Sequence, residues 1–514
     1  MHSRRKFLHG AAAGMGLISA PTFLASCAKE VAPGALSAAA EIPANPFLAW
    51  FGIDEAMLSR VMSTLTSRGA DFADLYFEHK RSNSITLEDG IISKASASID
   101  QGVGLRVVIG DQTGYAFTED LSEEAMHAAA RTAASIAKGG PLDAPTSFNI
   151  NSPQGLYTLA VPWADVGVDQ KLPKVRQLEQ YARQLDPAVD KVTISWQDTE
   201  DRVLVADSLG NVQTDLRPMT RLWCSVVATK GEETFANRAN LAGRRGFDWY
   251  SDEALEGLAR QAVDRTMVLF EAKRPPAGEM PVVLAAGASG ILLHEAIGHG
   301  MEADFNRKGT SIYSEMIGKK VAPDIVTIVD SGILEHERGS LAFDDEGNAT
   351  RRTALVENGV LASYLHDRIS SKHYGVDPTG SGRRQSFRHV PMPRMRCTYM
   401  EDGPHTRDEI IASVEKGIIA ETFTNGQVDI GGGDFTFYIK NGWMVEGGKI
   451  TYPIKDCNII GNGPDALRNV TMAANDAKLD TGGWTCGKDG QGVPVSQGLP
   501  TVLISSMTVG GENA

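Results

Sequence analysis

Two histidines five residues apart, His294 and His299, constrain this chain more than any other feature. With Glu295 they place two imidazoles and a carboxylate in one short segment, His294-Glu295-Ala296-Ile297-Gly298-His299, and these are the parts of a hydrolytic metal site. An apolar run, Met280 to Leu284, and a small-residue turn, Ala285 to Gly290, precede the segment, which reads as strand, turn and helix start. The zinc-protease helix spaces its histidines four apart, on one face. At a spacing of five, an ideal helix would swing the second ring roughly 140° away from the first. Both rings can serve one ion only if the helix takes in an extra residue, as a π-turn does, or breaks. Gly298, directly before His299, tolerates either. Hydrogen-bonded core histidines beside Leu292, Leu293 and Ile297 are the competing reading, one that suits a lone histidine better than this triplet.

A catalytic metal of this kind takes three protein ligands and leaves a position for water, with the motif glutamate acting as base rather than ligand. Cys224, Cys397, Cys457, Cys486, other histidines and many carboxylates are candidates for the third ligand, and spacing does not choose among them. Cys486 is attractive because it lies in the glycine-rich stretch Gly482 to Gln491, whose backbone could approach an ion closely, with Lys488 present to favour the thiolate. Asp304 either orients a ligand histidine from behind or is a solvated turn carboxylate. Arg383, Arg384 and His389 either grip a substrate carboxylate or backbone or make surface salt bridges, and Gly431-Gly432-Gly433 reads more readily as a hairpin turn than as a flexible loop beside a groove.

At these residues the chain resembles the TldD/PmbA metalloproteases, a family once labelled modulators of DNA gyrase. The resemblance rests on HEAIGHGMEADFNRKGTS (His294 to Ser311), FDDEGNATRRTALVENGVL (Phe343 to Leu361), PTGSGRRQSFRHVPMPRM (Pro378 to Met395) and TCGKDGQGVPV (Thr485 to Val495). Weaker matches, Leu87 to Val107 and Thr113 to Leu121, extend it over about Phe51 to Gly511. The His-Glu-His constellation places it with the catalytic TldD branch rather than the PmbA branch. The resemblance implies zinc on His294, His299 and Cys486, Glu295 as general base, and hydrolysis of peptides bound in an extended form. It also implies a PmbA-like partner subunit, with self-association of this chain as the alternative.

Helical and strand patterns mix up to Pro275-Pro276 and short strands dominate after it. Helical spacing marks Met57 to Leu65 after Asp54, Ser122 to Lys138, Lys174 to Leu185 and Asp252 to Ala272, with strands at Ala73 to Phe77, Ser84 to Leu87, Leu105 to Ile109, Gly114 to Phe117, Val192 to Trp196 and Val203 to Ala206. Beyond Pro276, strands are expected at Val326 to Val329, Ala354 to Val356, Phe435 to Ile439, Lys449 to Tyr452 and Thr501 to Ile504. The expected fold is α+β: an N-terminal antiparallel sheet with helices (residues 47–274), then a C-terminal β-rich domain (residues 275–514), bent or barrel-like, carrying the metal helix. With 64 acidic against 50 basic residues, a net charge of -14 and no basic stripe interleaved with aromatics, the composition argues against direct nucleic-acid binding.

The first 27 residues read as an export leader. Ser3-Arg4-Arg5-Lys6-Phe7-Leu8 is a twin-arginine pattern, and Leu24-Ala25-Ser26-Cys27 resembles a lipobox that would lipidate Cys27. Gly10, Gly14, Gly16 and Pro21 interrupt the stretch too often for a permanent membrane helix. Residues 28–46 follow as an Ala/Pro-rich tether, so the expected location is periplasmic or lipid-anchored to the cell envelope. Twin-arginine export carries folded proteins, which suits a metal taken up before export and argues against disulfides among the remaining four cysteines. Two other functions fit the same residues: a non-catalytic assembly subunit in which the metal clamps Cys486 to the helix, and a metal hydrolase acting on a non-peptide envelope substrate. A clamp gives Glu295 no role.

Overall fold

The computed structural model describes residues 46–153, 155–429 and 431–511. The twin-arginine leader, Cys27 and the tether up to Asn45 lie outside the described residues.

The N-terminal half is a seven-stranded sheet in the order Gln112–Thr118, Ile91–Ile109, Phe72–Glu88, Val189–Asp207, Asn211–Lys230, with Glu233–Gly243 and the short Asn149–Asn151 both on the last. Every ladder is antiparallel except that of Asn149–Asn151. The stretches Ala73 to Phe77 and Ser84 to Leu87 belong to one strand, Phe72–Glu88. Its polar middle stays in the ladder because charges meet across it: Lys80 faces Asp100 on one side and Asp201 on the other, and Arg81 faces Glu200. Helix Glu55–Leu65 begins where Asp54 accepts a hydrogen bond from the Met57 amide, and it buries Leu58, Val61, Met62 and Leu65. The helix expected from Lys174 begins at Val168 and runs through Pro173 to Leu185. The sheet carries two apolar cores, one around Leu58, Leu75, Phe77 and Val103, the other around Trp163, Leu178, Trp196 and Leu258.

Beyond residue 276 five strands close on themselves. Gly278–Leu284 pairs in parallel with Lys416–Val428, which pairs with Asp434–Glu446, then Cys457–Asn462, then Val502–Gly510, which returns to Gly278–Leu284. The Gly431 to Gly433 stretch lies between the antiparallel strands Lys416–Val428 and Asp434–Glu446, as a hairpin requires. A second, six-stranded sheet contains Ile328–Ser331, Arg352–Glu357, Cys397–Met400 and Ser496–Leu499. Closure leaves no free barrel edge and gives the segment after Gly278–Leu284 a rigid base. Ile291, Leu292, Leu293 and Ile297 anchor that segment in the same core as barrel residues Phe435, Phe437 and Met444.

The two halves are joined by buried charge. Arg106 of the N-terminal sheet donates to Asp74 at 2.6 Å and to Glu346 of the C-terminal half at 2.7 Å, and all three side chains are inaccessible to solvent. Arg384 donates to Asp74 at 3.1 Å, and Arg217 reaches Asp345 at 2.6 Å. Arg106→Ala should therefore destabilise the protein by about 3–5 kcal/mol, because it leaves Glu346 buried without its guanidinium partner and Asp74 with Arg384 alone. Thermal unfolding of both proteins checks this; an unchanged midpoint would show that the network contributes nothing to stability.

Candidate metal centre

The strand Gly278–Leu284 runs into a short 3-10 turn, Ala288–Gly290, a helical turn, Ile291–Leu293, and then a π-helical turn, His294–Gly298. The extra residue that a five-residue spacing demands is thus absorbed in the turn itself. The two rings lie 5.1 Å apart between centroids, inclined at 82°. Gly298 has ordinary helical angles, φ -61° and ψ -45°, so conformational freedom is not its role. A Cβ there would come within 2.1 Å of Met395 Sδ, so the glycine lets that buried methionine pack directly against the turn.

Cys486 arrives from the opposite side on the hairpin Thr485–Lys488 and Gln491–Pro494, which turns at Asp489 and Gly490 with φ of 49° and 74°. Alternation sends Cys486 and Lys488 inward together. The glycines do not bring backbone to the site: a Cβ on Gly487 would meet open space, and the side chain of Cys486 makes the approach. Its carbonyl accepts from Arg394 at 2.5 Å, and Arg383 donates to the carbonyls of Met395 and Pro494 at 2.6 and 2.7 Å. Arg383 and Arg384 are buried, at 2% and 3% exposure, so surface salt bridging does not describe them. His389 meets Ser386 at 3.0 Å.

His294, His299 and Cys486 each offer a ligand atom, and these atoms all lie within 4.8 Å of one another. All three residues are buried. Cys224, Cys397 and Cys457 are free, buried and outside this group. Burial opposes the Cys486 thiolate, yet the adjoining His294 and His299 outweigh it and hold the thiol well below its ordinary range. Lys488, expected to favour that thiolate, instead donates to Glu302 at 3.0 Å and Asp304 at 2.7 Å. Glu302, rather than Asp304, meets His299, its Oε2 lying 2.9 Å from Nδ1. Although Glu302 is fully buried, Lys488 and then His299 hold its carboxyl down at about 2. Sequence reasoning passed over Glu302; its position three residues after His299, one turn along, was the available signal.

The donor set fits a soft or borderline divalent metal. Two imidazoles and a thiolate are a zinc-type combination. Both ring nitrogens of His294 are buried without a hydrogen-bond partner among the described residues, and a bound ion would satisfy one of them. The Glu302 contact commits His299 Nδ1 and leaves Nε2 facing Cys486 Sγ at 3.4 Å. Glu295 differs from the three: its side chain is 28% exposed and its Oε2 lies 3.9 Å from His299 Nε2. It opens with His294 onto a cavity of about 200 Å³ lined by Phe423, Phe437, Trp484 and Gln497.

Comparison with known proteins places this geometry in a family. The chain matches the PmbA/TldA metallopeptidase domain 1 over residues 73–137, the central domain over 161–270 and the C-terminal domain over 277–511. It is 39% identical to the metalloprotease TldD homolog of Haemophilus influenzae, across 91% of this chain and 99% of that one. It is 28% identical to the zinc metalloprotease TldD homolog of Saccharolobus solfataricus, across 86% and 97%. Among solved structures, a Thermotoga maritima protein described as a modulator of a DNA gyrase superposes with a TM-score of 0.72 at 21% identity, covering 89% of this chain and 100% of that one. TldE from Thermococcus kodakarensis superposes at 0.67 and 18% identity, covering 88% and 99%. The chain belongs to the TldD/PmbA family of metallopeptidases.

Proposed function

We propose that this protein is a zinc-dependent peptidase that hydrolyses short or unfolded peptides bound in extended form, with Glu295 as general base. The observation that carries the reading is the meeting of His294, His299 and Cys486 beside the partly exposed carboxylate of Glu295, at the floor of an open cavity. The zinc relative from Saccharolobus solfataricus supports the choice of metal. His294, His299 and Cys486 would hold the ion. When bound there, zinc supplies Lewis acidity that acidifies water and polarises a peptide carbonyl.

The remaining work falls to the chain's own groups. Glu295 takes the proton from the attacking water and returns it to the leaving amine. A thiolate ligand leaves the ion less electron-poor than neutral ligands would, so more of the water's activation rests on this carboxylate. Phe423, Phe437 and Trp484 give the cavity beside Glu295 an apolar wall, which strengthens polar contacts at the bond being cut. The ladder between Lys416–Val428 and the neighbouring Gly278–Leu284 ends at Ala420, and Phe423 and Gly426 beyond that point line the cavity. A peptide laid along this stretch would be gripped through its main chain, giving broad sequence tolerance. A TldE-like second subunit is the partner we propose, and the native mass of protein purified from its own cells tests that directly.

Glu302 is a positioning residue in this scheme. Glu302→Ala should weaken zinc binding by roughly 10–100-fold through loss of His299 orientation, while Glu302→Gln should recover part of it. Competition titration with a zinc chelator reads the effect; equal zinc affinity in wild type and Glu302→Ala would remove the residue from the centre. The function itself is tested by exposing a pool of short unstructured peptides to zinc-loaded and chelator-stripped protein, with cleavage read by mass spectrometry. Cleavage confined to the loaded protein is expected. No cleavage by the loaded protein, alone or with any co-purifying subunit, contradicts the proposal.

A further inference from the structure

A larger cavity of about 500 Å³ lies in the seam between the N-terminal sheet and the barrel, and it shares Phe423, Trp484 and Thr485 with the cavity at His294 and Glu295. Its walls carry four cations: Arg221 and Arg238 from the sheet, Arg265 from helix Asp252–Met267, and Lys440 from barrel strand Asp434–Glu446. Only one acidic residue, Asp480, is among the described lining residues, and its carboxylate already accepts from the Trp484 indole at 2.6 Å. None of the four cations makes an ion pair among the described residues, unlike Arg106, Arg217 or Arg388 elsewhere in the molecule. In a chain of net charge -14 this concentration runs against composition.

Two of the cations, Arg221 and Arg238, are tied to the wall of the cavity. The Trp223 ring carries both guanidinium groups of the sheet, Arg221 at 5.6 Å and Arg238 at 4.6 Å from its centroid. Arg221 is fixed further by Gln197 at 2.6 Å and the Gly483 carbonyl at 3.2 Å, while its Nε stays buried without a partner. Burial, and then the neighbouring Arg238 charge, lowers the pKa of Arg221; burial also lowers those of Arg265 and Lys440. Arg221 and Arg238 repel each other, a Coulomb cost that an anion placed between them relieves, whereas Asp480 and Glu421 act favourably on Arg265, and Asp456 on Lys440. Guanidinium groups favour a carboxylate because they can meet both of its oxygens.

We propose that this cavity is a carboxylate subsite, receiving an acidic side chain or the free C-terminus of a peptide whose scissile bond lies at Glu295. The assignment of that carboxylate to a peptide rests on the peptidase reading above. Phe423 and Trp484 line both cavities, so an anion among the arginines sits beside the bond that is cut and selects substrates without touching the reacting atoms.

The test is equilibrium binding to full-length, zinc-loaded protein carrying Glu295→Gln, so that probes are not consumed. Three fluorescent peptides of equal length are compared by anisotropy: neutral and amidated, acidic and amidated, and neutral with a free C-terminal carboxylate. One of the two carboxylate probes should bind on the order of tenfold or more tighter than the neutral amide, as charge-assisted contacts provide, and which one does so identifies the source of the carboxylate. Adding Arg238→Gln with Lys440→Gln should abolish the preference, whereas Lys449→Gln, an exposed lysine outside the cavity, should retain it. Equal affinity for all three probes, no binding of any, or an undiminished preference in the double variant overturns the subsite. The peptidase reading fails separately: cleavage without carboxylate preference overturns the subsite alone, and carboxylate preference in a loaded wild type that cleaves nothing overturns the peptidase alone.

Discussion

Glu295→Gln is expected to keep its metal and its fold and to lose peptide cleavage by a factor on the order of 100 or more. The substitution is nearly isosteric, and Glu295 stands apart from the three buried residues proposed as ligands, with its carboxylate at the cavity. Removing its charge withdraws the proton acceptor without emptying the ligand set. The same experiment separates three functions. A structural clamp predicts no cleavage to lose, a hydrolase of other substrates predicts loss only toward those, and a peptidase predicts loss toward peptides with zinc content unchanged. Cleavage kinetics and elemental analysis of both proteins decide the matter; equal rates would remove Glu295 as the base.

Replacing any one of the ligand residues should have a different signature. His294→Ala, His299→Ala and Cys486→Ser should each reduce zinc from about one per chain to little or none, and abolish cleavage with it. The three side chains come from two elements that meet only in the folded protein, and the buried His294 has no other partner for its ring nitrogens. Elemental analysis of each purified variant measures the loss, with circular dichroism to show that the fold survives. Full zinc occupancy in the Cys486→Ser protein would exclude Cys486 from the site.

The sequence carried some of this geometry openly. A five-residue spacing between histidines admits few helical solutions, and the π-turn at His294–Gly298 is one of the two it allows. Asp54 before a helical repeat marked a real cap, and the run of short strands after Pro276 marked a β-rich domain that closes into a barrel. Three kinds of information were not local. Cys486 lies 187 residues from His299, and only a hairpin packed against the π-turn selects it over the other cysteines. The roles of Glu302 and Asp304 depend on where Lys488 ends up, which is again a matter of tertiary packing. The run Asp344-Asp345-Glu346 is buried throughout, and the arginines from the N-terminal half that reach two of its members, Arg106 and Arg217, are more than a hundred residues away in sequence. At Gly298 the sequence suggests backbone freedom, whereas the structure keeps ordinary helical angles there and uses the lack of a side chain.

X-ray absorption at the zinc edge of the protein purified without added metal tests the central claim most directly. The account predicts one sulfur neighbour at about 2.3 Å and two nitrogen neighbours at about 2.0–2.1 Å, with the remaining coordination from a light atom. A bound metal with no sulfur neighbour, or purified protein that holds no zinc and takes none up, would contradict it.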